Sequence, residues 1–519
     1  MNLAISGSPE QTIASRKEEC QQLQKEVLGN RSLIIAANRG PVSFELDEQG
    51  QLLSKRRGGG LVTALTGLAQ HVDATWIAAA TTEGDFQWQE GDVELGENGE
   101  SIRVKFVTPD PAAYDKYYNQ ISNPLLWFLQ HNMWNIAYNP TFDRDTWRAW
   151  DDGYVVVNDL FAEAIAQQIL ANKSPSLVML QDYQLYLVPS LLRKRMRRYR
   201  KPGKKPRYTI SHFVHIPWPG EEDWGFLPPA IRRQILESLC AVDLLGFQTR
   251  DDGLNFIRSV ESHLPGAHTN FRRGRIWYRN HATYIRDFPI SIDVDALRQM
   301  AESEGVEMYR EQLEMIMDGR QVIVRVDRTE PSKNIVRGFE AFEELIENHP
   351  EHIGRVVFLA LMAPSRLDVE EYQFYLDKLM AAAGRVNAKH GTSQWEPIRV
   401  LVGNNYPRAV AALQLYDVLL VNSIADGMNL VAKEGPIVNQ RDGAVILSER
   451  TGARQQLAPG SIVIAPSDVY ATAEAMHQAL TMEADIRHER AARLKWIVER
   501  EDITDWLCRQ LEALEELDL

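Results

Sequence analysis

The run Asp426-Gly-Met-Asn-Leu-Val-Ala-Lys-Glu434 sets two carboxylates and a glycine where an apolar strand-like run gives way to a helical pattern. A helix that starts after a strand presents unpaired N–H groups and the positive end of its dipole. Gly427 lets a ligand approach that backbone, and the amides of Met428, Asn429 and Leu430 continue the same surface. If the run is helical throughout, eight residues at about 100° each bring Asp426 and Glu434 onto one face. Carboxylates so placed can hold the hydroxyls of a sugar and a ribose while the amides hold a diphosphate. The competing reading is an aspartate that caps an ordinary helix, and the run alone does not separate the two.

Three cations follow strand-like runs in the same half of the chain. Arg328 and Lys333 flank a proline-stiffened turn after QVIVRV, and Arg366 lies in the loop after RVVFLAL. Each alone reads more readily as a surface ion pair. Arg328 and Lys333 form a plausible clamp for a diphosphate and Arg366 is a third candidate anion binder; together, at the ends of consecutive strands, they are harder to dismiss. In the first half, Asn38-Arg39-Gly40 follows the first strand run, and the glycine run up to Gly60 opens a helical pattern without the Walker lysine or the dinucleotide spacing. Tyr118 and Trp127 offer the aromatic surface that lines sugar sites, although core packing explains Trp127 equally well. Asp182 closes SLVMLQD and His215 closes YTISHFVH, the positions where an open α/β sheet builds its sites. A lone histidine at a strand end is more often structural.

The elements that must position these groups come in two series. SLIIAAN, ATWIAAA, SLVML, YTISHFVH and DLLGFQT are compact apolar runs separated by helical stretches such as 154–171, 186–198 and 229–242. QVIVRV, RVVFLAL, IRVLV, DVLLV, AVILS and SIVIA form a second series, with helical stretches at 334–347 and 369–389. Strand and helix in alternation predict parallel, doubly wound sheets, hence an α/β protein of two Rossmann-like domains enclosing a cleft. The seam is expected near Phe288–Asp293. That gives an extension over 1–30, a first domain over 31–289, a second over 290–500 and a helical segment over 501–519 that packs back on the first. Residues 15–27 read as one amphipathic helix, and 473–519 as wholly helical.

The bulk numbers narrow the classes. A chain of 519 residues exceeds one ordinary core. Apolar residues at 44% and charged residues at 25% describe a folded globular protein. Lys plus Arg number 57 against 71 Asp plus Glu, a net charge of −14, which disfavours duplex nucleic acid as a partner. The basic run Arg193–Arg207 reads as a solvated loop before a buried strand. Cys20, Cys240 and Cys508 show neither metal-ligand spacing nor a disulfide framework. No apolar run is long enough to span a bilayer, and residues 1–20 do not resemble a secretory signal. A cytoplasmic location is expected.

Taken together, DGMNLVAKE (Asp426–Glu434), APSRLDVEEYQ (Ala363–Gln373), HIPWP (His215–Pro219), DLLGFQT (Asp243–Thr249) and YYNQISNPLLW (Tyr117–Trp127) resemble the trehalose-6-phosphate synthase family of retaining glycosyltransferases. The resemblance runs in family order from about Ser32 to about Arg500 and implies the GT-B fold. It implies transfer of glucose from a nucleoside diphosphate glucose to a phosphorylated acceptor, best matched by glucose 6-phosphate. By resemblance, Arg328 and Lys333 hold the donor diphosphate, Glu434 the ribose, and Asp426 the glucose hydroxyls, with the amides of Gly427 to Leu430. His215 contacts the donor glucose, Gly60 belongs to a loop closing over the donor, and Arg39, Tyr118, Trp127, Asp182 and Arg366 hold the acceptor. Cofactors are expected to be none and metals none, the nucleotide sugar and sugar phosphate being substrates. A homo-oligomer is compatible with the sequence.

Departures from the family bear more on the substrate than on the reaction type. The family's HDYH reads Gln181-Asp182-Tyr183-Gln184, its WFGWSG region puts Ala79 at the matching tryptophan, and RLDYSKG reads Arg328-Thr-Glu-Pro-Ser-Lys333-Asn334. These leave open glucosylglycerol-phosphate synthases and pseudo-glycosyltransferases that couple cyclitols. From other classes, a catalytically silent sugar-phosphate sensor and a glycogen-phosphorylase-like enzyme are the rivals. The sensor is disfavoured because Lys333, Asp426 and Glu434 are all kept.

Overall fold

The computed structural model describes residues 9–56, 74–94, 101–199, 208–366 and 369–517. The chain divides into two compact units, Met1–Phe288 with Thr504–Leu519, and Pro289–Ile503.

Unit 1 contains β1 (Ser32–Ala36), β2 (Val42–Leu46), β3 (Leu52–Arg56), β4 (Ala74–Ala79), β5 (Glu90–Glu94) and β6 (Ser101–Val107). After these come β7 (Ser176–Gln181), β8 (Tyr208–Val214), β9 (Leu244–Phe247), β10 (His268–Asn270), β11 (Arg275–Tyr278) and β12 (His281–Asp287). Ten of them form one sheet in the order β10-β11-β12-β9-β8-β7-β1-β4-β6-β5. The strands from β12 through β6 run parallel, and β5, β10 and β11 pair antiparallel, with β10 and β5 at the two edges. Every residue of β1, β4, β7 and β9 is buried, which is why these strands read as unbroken apolar runs. The edges are short and polar, β10 being His-Thr-Asn, and left no such signal.

In unit 1, α1 (Pro9–Leu28) packs against α2 (Ile503–Glu516). Arg16 pairs with Asp505 at 3.2 Å and Glu512 at 2.7 Å. Cys20 and Cys508 form a disulfide with Cα atoms 5.5 Å apart, which corrects the expectation of unpaired cysteines. A separation of 488 residues carries no spacing signal, so only the packing of the two helices brings the thiols together.

Unit 2 is a six-stranded, wholly parallel sheet in the order β15-β14-β13-β16-β17-β18. The strands are β13 (Gln321–Arg328), β14 (Val356–Ala363), β15 (Ile398–Val402), β16 (Val418–Val421), β17 (Ala444–Ser448) and β18 (Ile462–Ile464). All six coincide with the expected apolar runs. Its principal helices are α3 (Ile335–Asn348), α4 (Glu370–His390), α5 (Val431–Val438) and α6 (Val469–Leu480). The stretch expected to be wholly helical after Ala473 is interrupted twice, giving separate helices that end at Leu480, Arg500 and Glu516. In both sheets a first strand sits between neighbours reached by opposite crossovers, β1 between β4 and β7, β13 between β14 and β16. Ligands of doubly wound sheets bind beyond the carboxyl ends at such switch points.

Candidate active site

In unit 2 the chain leaves β13 at Arg328, turns through Pro331–Lys333 and enters α3. Asn334 sits at φ 59° and ψ 37°, a left-handed conformation for which the family run uses glycine and which asparagine tolerates. Beneath the turn lies Arg325, fully buried, paired with Asp327 at 2.7 Å. Its guanidinium also donates to the Lys333 carbonyl at 2.9 Å and thereby fixes the turn that carries the lysine. Gly338 leaves the space: a Cβ there would lie 2.4 Å from Arg325 Nη1.

The cations converge on buried carboxylates. Lys333 Nζ donates to Asp426 Oδ2 at 2.5 Å, with side chains 11% and 13% exposed. Arg328 Nη1 lies 3.0 Å from Glu330 Oε1, and Arg366 Nη1 lies 3.8 Å from the same oxygen. Glu330 is fully buried, yet Arg328, Arg366 and Lys333 outweigh that desolvation and hold its pKa below the usual carboxylate value. Ser365 Oγ donates to Glu330 at 2.9 Å. Arg366, at φ 46°, also donates to the Tyr372 hydroxyl at 2.5 Å. The three cations are thus held in place by groups that a phosphate or diphosphate, with more charge, can replace or join.

The Asp426–Glu434 segment differs from the expected continuous helix. α5 begins only at Val431, so the face-sharing argument for Asp426 and Glu434 does not apply. Asp426 does not cap the helix either. Its carboxylate accepts from Lys333, from Ser423 Oγ at 3.3 Å and from Asn429 Nδ2 at 3.1 Å. Asn429, at φ 71°, takes the capping role by accepting from the Ala432 amide at 3.3 Å. Gly427, Met428, Asn429 and Leu430 therefore form an extended loop before the helix. Within α5, Lys433 turns inward and donates to the Ile290 carbonyl at 2.7 Å. Glu434 accepts from the Tyr406 hydroxyl at 3.1 Å, and its burial raises its pKa above the ordinary value.

In unit 1, Arg39 follows β1, and its Nη2 donates to the Tyr118 hydroxyl at 3.3 Å. Tyr118 stacks on Tyr114, ring centroids 5.7 Å apart. Both Tyr118 and Trp127 lie on a π-helix over Lys116–Trp127 that contains Pro124. Proline offers no N–H to an α-helical ladder, and such widened turns favour functional sites. Trp127 is buried, stacked on His131 at 3.9 Å and tilted against Tyr183 at 5.7 Å. Asp182, just past β7, has φ 71° and ψ 178°, a conformation costly for a residue with a side chain and typical of functional sites. Its Oδ1 accepts from the His215 amide at 3.1 Å.

His215 Nε2 lies 2.9 Å from Gln181 Oε1, so the ring donates from Nε2 and keeps its Nδ1 lone pair. Trp506 of α2 stands beside it, centroids 6.5 Å apart. Burial, reinforced by His212, lowers the pKa of His215 to about 3, and burial lowers that of His212 to about 4. Both rings stay neutral near pH 7. The unfolded chain takes up their protons near pH 6.5 while the folded chain does not. Stability therefore falls as pH drops through that value, by about 1.4 kcal/mol per pH unit for each ring. The His215 Cε1–H resonance is expected to hold a constant shift from pH 8 to pH 5, and titration near pH 6.5 would contradict the burial.

In unit 2 the structure pairs Lys333 with Asp426 and joins Arg328 and Arg366 through Glu330, while Glu434 on α5 is held by Tyr406. In unit 1 it pairs Arg39 with Tyr118, Asp182 with His215, and sets Trp127 against Tyr183. Gly60 lies outside the described residues. Glu330, Arg325 and Gln181 were missed as participants. The Glu in RTEPSK was a legible signal for the first, while nothing in a strand run marks Arg325 as an internal brace.

Two Rossmann-like units, one with cations and a helix-entry loop at its switch point, define a GT-B glycosyltransferase. The model of Glycosyltransferase family 20 matches residues 31–516, and the chain belongs to that family. An α,α-trehalose-phosphate synthase (UDP-forming) of Aspergillus fumigatus is 34% identical over 478 residues, 90% of this chain and 93% of its own. An E. coli structure bound with UDP-2-fluoro glucose aligns with TM-score 0.80 at 28% identity, covering 94% of this chain and 98% of that one. A UDP-forming α,α-trehalose-phosphate synthase from Burkholderia xenovorans, solved with glucose-6-phosphate, aligns with TM-score 0.76 at 25% identity, covering 94% and 100%.

Proposed function

We propose that this enzyme transfers glucose from UDP-glucose to glucose 6-phosphate, forming α,α-trehalose 6-phosphate with retention at the anomeric carbon. The observation that carries the reading is the Lys333–Asp426 pair at 2.5 Å beside Arg328, a donor site of cation, carboxylate and free amides in one loop cluster. In this reading Arg328, Lys333 and the amides of residues 427–430 neutralise the diphosphate as the C1–O bond breaks. Asp426 accepts from glucose hydroxyls, and Glu434 accepts from the ribose. The acceptor hydroxyl oxygen bonds to C1 on the face the diphosphate leaves, and its proton passes to a departing phosphate oxygen. No second carboxylate is required as base. Neutral His215 contributes a hydrogen bond near the reacting carbon rather than a proton.

Incubation with UDP-glucose and glucose 6-phosphate is expected to release UDP, with trehalose 6-phosphate as the second product. Release with glycerol 3-phosphate and none with glucose 6-phosphate would overturn the acceptor assignment while keeping the donor half. Arg39 with Tyr118 is proposed to hold the acceptor phosphate. Arg39→Ala is then expected to raise KM for glucose 6-phosphate about 10–100-fold, the value of one charge-assisted hydrogen bond, with kcat little changed. An unchanged KM would remove Arg39 from the acceptor site.

A further inference from the structure

At the amino-terminal end of the unit 2 strands, three of the chain's 12 histidines meet. His349 follows α3, and Glu351 and His352 lie on the turn Pro350–His352 that leads into β14. α6 packs alongside and presents Glu474 and His477, three residues apart and so on one face. His352 Nε2 lies 3.0 Å from His477 Nδ1. Glu351 Oε1 lies 3.6 Å from His349 Nδ1 and 3.9 Å from His477 Nδ1. One ligand atom from each of His349, Glu351 and His477 falls within 4.8 Å of the others.

We propose that His349, His477 and Glu351 form a binding site for one divalent transition-metal ion of the zinc type, with a fourth position for water. Bonds of about 2.0–2.2 Å in a tetrahedron put neighbouring ligand atoms roughly 3.4 Å apart, and Glu351 Oε1 stands 3.6 Å and 3.9 Å from the two imidazole nitrogens. A second observation points the same way. The other nitrogen of His349, Nε2, lies 2.9 Å from Glu474 Oε1. A carboxylate that accepts one imidazole N–H fixes the tautomer and aims the opposite lone pair at a metal. Two imidazoles with one carboxylate suit zinc, cobalt, nickel or copper rather than calcium or magnesium.

The stacked rings of His349 and His477, 3.6 Å apart with planes 8° from parallel, must splay on binding. Rotation about the terminal ring torsion allows this, because that torsion is broad. Glu351, with its side chain 54% exposed, is free to swing inward. His352, whose Nε2 contacts His477 Nδ1 at 3.0 Å, must yield that nitrogen to the metal. The contrast is a second cluster, Glu343, Glu347 and His390. There Lys389 already lies 3.0 Å from Glu343 and also pairs with Glu347, while Arg385 lies 3.5 Å from Glu343. Cations of the protein occupy those carboxylates, so the histidine cluster is the better site.

Bound metal would tie the end of α3 to α6, and α3 begins directly after Lys333. Equilibrium dialysis of the full, tag-free chain against micromolar Zn2+, with bound zinc measured by mass spectrometry, is expected to give one equivalent. Zinc should also raise Tm. His477→Ala and, on the exposed rim, Glu351→Gln are expected to lose both effects. Glu474→Gln should keep the stoichiometry and weaken affinity about 10–100-fold, as expected of a positioning residue. Glu343→Gln at the second cluster should change neither. Failure of the wild-type chain to bind zinc, retention of the full equivalent by His477→Ala and Glu351→Gln, or its loss in Glu343→Gln would each overturn the assignment.

Discussion

Lys333→Ala is expected to lower kcat by about 10²–10³-fold, the cost of deleting one preorganised group that meets charge developing on a leaving group. The lysine is held at 2.5 Å from Asp426 in a largely dehydrated corner. Its charge is therefore screened less than on the surface and does not have to be reoriented when the diphosphate departs. Loss of the ammonium also frees Asp426, which keeps Ser423 Oγ and Asn429 Nδ2 as donors. The fold should survive, so the loss of rate can be read as chemistry. Lys333→Arg restores the charge but as a planar fork in a space built for a point charge, and only partial recovery is expected. Steady-state rates at saturating donor and acceptor decide the matter: a kcat within tenfold of wild type for Lys333→Ala would exclude Lys333 from leaving-group stabilisation.

Arg325→Met should produce the largest loss of stability, about 3–5 kcal/mol, the usual cost of breaking a buried ion pair from one side. The guanidinium is fully buried, pairs with Asp327 at 2.7 Å and donates to the Lys333 carbonyl at 2.9 Å. Burial already pushes the Asp327 pKa up against the pull of Arg325 and Lys333. Removing the arginine leaves that carboxylate with much less compensation. For a unit of about 200 residues, at roughly 2–4 °C per kcal/mol, Tm should fall by about 6–20 °C. The double variant Arg325→Met/Asp327→Leu removes both charges and is expected to regain most of the loss. Denaturant unfolding of the three proteins tests this, and a single-variant cost under 1 kcal/mol would contradict the bracing role.

β1, β4, β7 and β9 were legible because they are buried on both faces and carry no interruptions. β5, β6, β10, β11 and β12 were not, since strands that mix polar and apolar residues resemble loops. The site was legible as parts. Arg328, Lys333, Asp426 and His215 each stood at a strand end, and their order along the chain carried the family resemblance. Their partnerships were not legible. The pairing of Lys333 with Asp426 spans 93 residues, and the sharing of Glu330 by Arg328 and Arg366 depends on β13 and β14 lying side by side. Gln181 was noted as a departure in the acceptor region, yet in the structure it is the hydrogen-bond partner of His215. Capping by Asn429 instead of Asp426 turns on one positive φ, and an asparagine codon cannot announce whether its residue will take that conformation.

Unit 1 is assembled from two stretches of chain, residues 1–288 and 504–519, with all of unit 2 between them. On the ribosome the first sheet is therefore made long before the helix that carries Trp506 and Cys508. At about 5–20 residues per second the wait is roughly 10–40 s, in which unit 2 can fold as a continuous segment while the surface near His215 and Cys20 awaits its cover. Nascent chains stalled before residue 504 should consequently expose apolar surface on an otherwise folded first sheet and be the form that holding chaperones retain.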